Sequence, residues 1–331
     1  MNVVDMHCDT IAELYRNHQA GGNASILENN LHIDLKKMKK GDYLLQNFAL
    51  FVHLGRTERP FDCAMEMADV FFTEMEAHKD KIGIVRKWSE IEENRAMDRM
   101  SAMLTLEEGG ICQGEISLLR DFYRLGARMM TLTWNFQNEL GWPNRTETVE
   151  GRTRFLPDTE HGLTEKGIAF LEEMERLGMI IDISHLNDAG IWDVFKYTKK
   201  PFVASHSNAR TLASHPRNLT DKMIRALADR GGVAGINFCA SFLRDHDENG
   251  MEPSYSYCRD MVAHMKHMKQ VGGIGCIGLG SDFDGIGSTL EMGDCSGMQM
   301  LADEMSREGF KTGEIEAVFY KNVLRLYKEL L

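Results

Sequence analysis

Val3-Val4-Asp5-Met6-His7-Cys8-Asp9 sets a pattern that returns along nearly the whole chain: a short apolar run closed by a polar cluster. It recurs in Met103-Leu104-Thr105-Leu106-Glu107-Glu108-Gly109-Gly110 and in Ile180-Ile181-Asp182-Ile183-Ser184-His185. It recurs again in Phe202-Val203-Ala204-Ser205-His206 and in Ile277-Gly278-Leu279-Gly280-Ser281-Asp282-Phe283-Asp284. A run of this length reads as a buried strand. A His or carboxylate at its C-terminal end is where a parallel barrel places its chemistry.

Working outward, strand-like stretches at 2–7, 45–52, 102–106, 129–133, 179–184, 202–205, 233–238 and 275–281 alternate with helical patterns. The helical patterns are Glu66 to His78, Ile116 to Leu125, Thr164 to Leu177, Asp188 to Tyr197, Asp221 to Asp229 and Tyr257 to Val271. Thr220 suits an N-cap, and Gly231-Gly232 and Gly272-Gly273 suit helix stops. Strand then helix, repeated eight times, predicts a (β/α)8 TIM barrel over a doubly wound sheet. No Gly-x-Gly-x-x-Gly follows the first strand, which argues against dinucleotide binding. No linker or low-complexity segment breaks the chain, so residues 1–331 are expected to form a single catalytic domain. Residues 53–100 and 135–163 exceed what a barrel needs. The second stretch, with Asn138, Gly141, Pro143, Asn144, Gly151 and Pro157, reads as a long loop where substrate walls sit.

Composition narrows the function. The 331 residues are 43% hydrophobic and 27% charged, with a formal net charge of -12. That balance argues against a nucleic-acid backbone as partner, because phosphates demand clustered Lys and Arg. Seven cysteines without a C-x-x-C pair fit a reducing compartment. No apolar run approaches the roughly 18 residues of a membrane span. Strand-like residues and His7 come too early to leave room for a signal peptide. The expected location is cytoplasmic, with no membrane partner.

His7 and Asp9 lie two apart on a strand and so face one way. A buried His satisfied by a neighbouring Asp would look the same. Glu108 precedes two glycines that allow close backbone approach, with Glu107 beside it as a competing candidate. His185 and His206 each follow Ser at successive strand ends, and Asp282 closes the last strand; singly, each could be structural. Together, three imidazoles and two or three carboxylates at one barrel mouth suit two divalent ions, most naturally zinc. Ions roughly 3.5–4 Å apart can share a carboxylate and a hydroxide.

The same residues resemble the membrane (renal) dipeptidase family, the zinc dipeptidases of peptidase family M19, in its soluble bacterial form. The resemblance spans essentially the whole chain. It runs through Asp5-Met6-His7-Cys8-Asp9-Thr10, Glu108-Gly109-Gly110, the segment Leu119 to Arg128, Leu132-Thr133-Trp134-Asn135 and Asp182-Ile183-Ser184-His185. It continues through Ser205-His206-Ser207-Asn208-Ala209-Arg210, Arg217-Asn218 and Gly280-Ser281-Asp282-Phe283-Asp284-Gly285. It implies a barrel of the metal-dependent amidohydrolase type holding two Zn2+ ions per chain. By this resemblance His7 and Asp9 bind one zinc, His185 and His206 bind the other, and Glu108 bridges them. Arg217 would hold the substrate carboxylate and Asp282 would be the acid/base. The implied activity is hydrolysis of dipeptides, including those with a D-residue at the C-terminal position, by a metal-bridging hydroxide.

The chain departs from the family at two places. Trp134 stands where some members carry a substrate-facing His, and Cys239 follows Asn237-Phe238 where a Tyr is familiar. Trp134 is therefore a candidate pocket residue that could instead be packing. The rival activities are hydrolysis of N-acyl amino acids or lactams, and a non-catalytic barrel that only binds. The expected partner is a dipeptide substrate, and a homodimer is left open.

Overall fold

The ring of strands follows from the alternation of side chains. In the computed structural model, which describes residues 1–149, 152–246 and 251–331, eight parallel strands close on themselves. They are β1 (Val3–Asp5), β2 (Tyr43–Phe51), β3 (Met100–Glu107) and β4 (Met129–Thr131). The ring continues with β5 (Ile180–Asp182), β6 (Val203–Ala204), β7 (Val233–Ile236) and β8 (Ile277–Leu279). Each pairs with the next in chain order, and β8 returns to β1 through Asp5 opposite Leu279. The most extensive pairing joins β2 to β3, from Leu45 opposite Ser101 to Phe51 opposite Glu107. All eight expected strands are present, and the chain folds as the expected (β/α)8 barrel.

Successive residues of a strand face opposite sides. Val4, Leu45, Met103, Met129, Ile180, Val203 and Val233 form one buried cluster inside the ring, joined by Val323, Leu326 and Tyr327. The helix Asn322–Leu330 thus plugs the barrel, and Asn47 Nδ2 donates to Tyr327 Oη at 2.7 Å. The alternate residues Leu104, Leu106, Ile181, Ala204, Ala234, Ile236 and Ile277 belong to the larger cluster beneath the helices. Each fully buried Leu or Ile contributes about 1.5–3 kcal/mol. Strands β6 to β8 crowd closely: a Cβ at Gly280 would lie 1.7 Å from the Ser205 carbonyl oxygen.

The helices start where side chains cap them. Thr164 accepts from Gly167 N at 3.0 Å, Asn187 from Gly190 N at 2.7 Å and Thr220 from Met223 N at 3.3 Å. The expected helix over 66–78 begins earlier, at Pro60, a residue whose fixed φ suits the first helical turn. Helices Thr10–Gln19, Leu35–Lys40 and Trp88–Ala96, and a strand Ile82–Ile84 outside the ring, lie in stretches where no element was expected.

Residues 135–163 are not wholly a loop. Arg145–Val149 and Arg152–Leu156 pair as an antiparallel hairpin, with Thr146 opposite Phe155. β-branched residues at Thr146 and Thr148 favour the extended chain there. Gly151 lies outside the described residues.

Candidate metal centre

The C-terminal ends of β1, β3, β5, β6 and β8 bring one polar cluster together. His7 Nε2 lies 3.4 Å from Asp9 Oδ2, 3.2 Å from Glu107 Oε2 and 3.8 Å from Asp282 Oδ1. On the other side, His185 Nε2 is 3.0 Å from Glu107 Oε1 and 3.0 Å from His206 Nε2. His206 Nε2 is 3.6 Å from the same Glu107 oxygen. Glu107 therefore divides the donors into two sets, one for each carboxylate oxygen. All six residues are buried.

Glu108, expected to bridge the two ions, is not in this cluster; its neighbour Glu107 stands there instead. The reason is strand parity. Met103, Thr105 and Glu107 face the barrel interior, while Leu104, Leu106 and Glu108 face away from it. The chain turns sharply at Glu108 (φ 103°). Its carboxylate accepts hydrogen bonds from Gly110 N at 2.7 Å, from Trp134 N at 3.1 Å and from Asn138 Nδ2. Burial pushes the Glu108 carboxyl up to about 7 against the pull of these donors.

The outer nitrogens of two imidazoles are tied. His185 Nδ1 meets Asn135 Oδ1 at 3.2 Å and His206 Nδ1 meets Ser205 Oγ at 2.7 Å. Ser205 donates its own hydroxyl hydrogen to Asp182, which also accepts from Ser205 N (2.8 Å), Ser184 N (3.0 Å) and Thr131 Oγ1 (2.8 Å). Ser205 Oγ is thus left to accept from His206. With protons on both outer nitrogens, His185 Nε2 and His206 Nε2 point lone pairs at one another across 3.0 Å. Burial holds both imidazoles well below their usual range, so both are neutral. Among the described residues Asp9 Oδ1 is buried without a hydrogen-bond partner, and His7 Nε2, though 3.2 Å from Glu107 Oε2, makes no well-formed hydrogen bond. Converging lone pairs, orphaned buried donor atoms and three carboxylates are the chemistry of a divalent-cation site. The residues present fit metal ions.

Burial pulls His7 down, but Glu107 and Asp9 override it and hold its imidazole well above the usual range. Burial, reinforced by Asp9, raises the Glu107 and Asp282 carboxyls. Asp282 Oδ2 accepts from Asn237 Nδ2 at 2.9 Å. Gly285 makes room for the carboxylates, since a Cβ there would lie 2.0 Å from Asp9 Oδ2 and 2.5 Å from Asp282 Oδ1.

A cavity of about 270 Å³ opens onto the cluster, lined among others by Asp9, Glu107, Trp134, His185, Cys239 and Asp282. Trp134 both lines it and packs, with its ring 5.9 Å from His185 and 4.9 Å from Phe51. Arg217 is buried nearby. Its NH1 donates to Ser207 Oγ and its NH2 to the His206 carbonyl, each at 3.2 Å, and its Nε has no partner. No carboxylate among the described residues lies within ion-pair distance of Arg217.

A family model described as membrane dipeptidase (peptidase family M19) matches residues 1–330. The chain belongs to this family. Among its relatives, an "uncharacterized dipeptidase" of Schizosaccharomyces pombe is 31% identical over 319 residues, 91% of this chain and 73% of that protein. A Klebsiella pneumoniae protein, "uncharacterized protein in pqqA 5′ region", is 36% identical over 234 residues, 70% of this chain and 83% of that one. Among solved structures, a metallopeptidase called dipeptidase AC, of family M19, superposes with a TM-score of 0.89 at 27% identity. That match covers 100% of this chain and 98% of the other.

In this M19 chain the structure brings together His7, Asp9, His185, His206 and Asp282 as the sequence suggested, with Arg217 and Trp134 at the edge. Asn135, Asp182, Ser205 and Asn237, which hold these residues in place, were not singled out from sequence. The two Asp–x–His-like endings, Asp5-Met6-His7 and Asp182-Ile183-Ser184-His185, carried a signal for Asp182 and for Asp5, which accepts from Ser281 Oγ at 2.6 Å and His7 N at 3.3 Å.

Proposed function

We propose that this chain is a dipeptidase that works with two zinc ions, the first held by His7 and Asp9 and the second by His185 and His206. Glu107 joins the two centres. The observation that carries the reading is the split of Glu107, whose Oε2 faces His7 at 3.2 Å and whose Oε1 faces His185 at 3.0 Å. Dipeptidase relatives along most of the chain support the substrate class. Zinc follows from the mixed imidazole and carboxylate donors. When bound, such ions polarise a carbonyl and lower the pKa of water.

The chain's own residues supply the rest. Arg217 presents a buried guanidinium without a carboxylate partner among the described residues, suited to a two-pronged contact with a substrate's terminal carboxylate. Asp282, raised by burial and held by Asn237, is placed to take a proton from the attacking water and pass it to the leaving amine. Trp134 and Cys239 line the cavity and limit the side chains it admits. The whole chain acts as one catalytic unit. Seven free cysteines suit a reducing compartment, so we place the enzyme in the cytoplasm.

The test is hydrolysis by zinc-loaded protein of dipeptides of both C-terminal stereochemistries, alongside N-acyl amino acids and a lactam, with elemental analysis of the same sample. Two ions per chain and turnover of dipeptides are expected. Turnover confined to the acylated amino acids or lactam would replace the dipeptide reading, and a single ion at saturation would end the binuclear one.

A further inference from the structure

Glu108 is a buried carboxylate with no cation beside it. No Lys, Arg or His among the described residues is within ion-pair distance of it. Three neutral donors surround it instead: Gly110 N, Trp134 N and Asn138 Nδ2. It also occupies backbone that L-residues rarely adopt, at φ 103°. A carboxyl group buried in strained backbone persists only where its surroundings over-determine it.

The donors identify what it holds. Trp134 N and Asn138 both belong to the segment that follows β4. Asn138 is itself a hub: its Nδ2 also reaches the Leu132 carbonyl at 2.9 Å, and its Oδ1 accepts from Leu140 N at 2.8 Å and Gly141 N at 3.2 Å. Between the two tethered residues lies Asn135. Its side chain is exposed, yet its Oδ1 accepts the outer N–H of His185. The path from Glu108 to His185 therefore crosses one peptide link and two hydrogen bonds.

We propose that Glu108 is a positioning residue, which pins the segment 134–138 so that Asn135 orients His185 toward the second metal centre and Trp134 stands in the cavity wall. The inference rests on the binuclear reading above. Glu107 and Glu108 thus divide one acidic pair: Glu107 faces the cations and Glu108 fixes the segment that aims one of their ligands.

Glu108→Gln tests it with little change of shape. Oε1 accepts from Gly110 N and Asn138 Nδ2, and Oε2 accepts from Trp134 N. The amide NH2 costs least where it meets one donor and not two, so it takes the place facing Trp134 N and severs that tether. The assay is stepwise zinc removal by a coloured chelator. Wild type is expected to release two ions in two steps. In Glu108→Gln the weaker step, assigned to the His185 and His206 centre by its loss in His206→Ala, is expected to weaken about 10- to 100-fold, as for other partners of metal ligands. The other step should not move. Asn135→Ala should give the same selective loss, and the double variant should lose little more than either single one.

Equal weakening of both steps, no weakening of either, or additive effects in the double variant would overturn the proposal. If wild type itself holds fewer than two ions, the binuclear reading has failed and the proposal falls with it. Should Glu108→Gln not fold, Asn135→Ala and Asn138→Ala decide the matter, and unchanged second-ion affinity in both would overturn it.

Discussion

Replacing Arg217 by Met separates binding from stability, because only the first should fall appreciably. The guanidinium is 6% exposed and makes only two hydrogen bonds, each at 3.2 Å and each to a neutral acceptor. With a charged donor such bonds contribute about 1.5–3 kcal/mol each at good geometry and the Phe242 ring lies 5.4 Å from the guanidinium carbon, whereas burying an unpaired charge costs several kcal/mol, so the two sides nearly offset. The His206 carbonyl also keeps Asn237 Nδ2 at 3.4 Å, so it is not orphaned by the change. Met fills a similar volume without the charge. The melting temperature is therefore expected to change little. A hydrogen bond to a charged partner is worth about 1.5–3 kcal/mol. At about 1.36 kcal/mol per tenfold, kcat/KM for a dipeptide should fall roughly 10- to 150-fold. The matching dipeptide amide, lacking the carboxylate, should be hydrolysed almost equally by both proteins. Parallel losses on acid and amide, together with a melting temperature several degrees lower, would show that Arg217 supports the fold and does not read the substrate.

Four other outcomes are expected. Asp282→Asn should keep its metal, by elemental analysis, while activity falls by about 10²–10⁴, the usual contribution of general acid–base catalysis. Glu107→Ala should bind fewer than two ions at saturating zinc; two ions retained would remove it from the bridging position. Gly285→Ala should displace Asp9 and Asp282, since the new Cβ would overlap both carboxylates, and the first centre should lose affinity in a chelator titration. The last concerns His264, buried with Nδ1 accepting from Ala209 N and Nε2 donating to the Leu243 carbonyl. Burial lowers its pKa from 6.5 to about 4. The unfolded chain then binds the extra proton between those values, so its contribution is complete above pH 6.5 and is lost as pH falls toward 4. About 2.5 units correspond to about 3 kcal/mol, and His264→Gln should flatten that slope in denaturant unfolding measured from pH 7 to 4.

The barrel was legible because its strands are short, apolar and closed by polar residues, and because the register of a buried strand is a matter of counting. That same counting held the answer at Glu107 and Glu108. Ala102, Leu104 and Leu106 alternate with Met103, Thr105 and Glu107, and only one of the two sets can face the helices. The all-aliphatic set takes that side, which turns Glu107 inward. The two glycines after Glu108 drew attention to the member of the pair that faces away from the donor cluster. The hairpin within 135–163 was hidden by turn residues on both sides of it. Asn135 was out of reach for another reason: it touches His185 across 50 residues of sequence, and nothing local to either residue marks the contact.

Alternation alone does not explain the site, however, and the exceptions fall at its working residues. Along β5, Ile180 and Asp182 face inward, so simple parity would send His185 outward. A left-handed residue, φ 67°, turns it back toward Glu107. Asp282 is left-handed as well, at φ 63°. Non-glycine residues in this region cost about 1–3 kcal/mol each and survive where their neighbours fix them. At His185 the fixing contacts are Ser184 N to Asp182 at 3.0 Å and Leu186 N to the Ile183 carbonyl at 3.2 Å. At Asp282 they are its own N–H to the His7 carbonyl at 3.2 Å and Gly285 N to its carbonyl at 3.1 Å. The buried carboxylate of Asp182 therefore serves two imidazoles together. It holds the turn that aims His185, and through Ser205 it fixes the tautomer of His206, so a change at Asp182 should disturb the second centre before it disturbs the first.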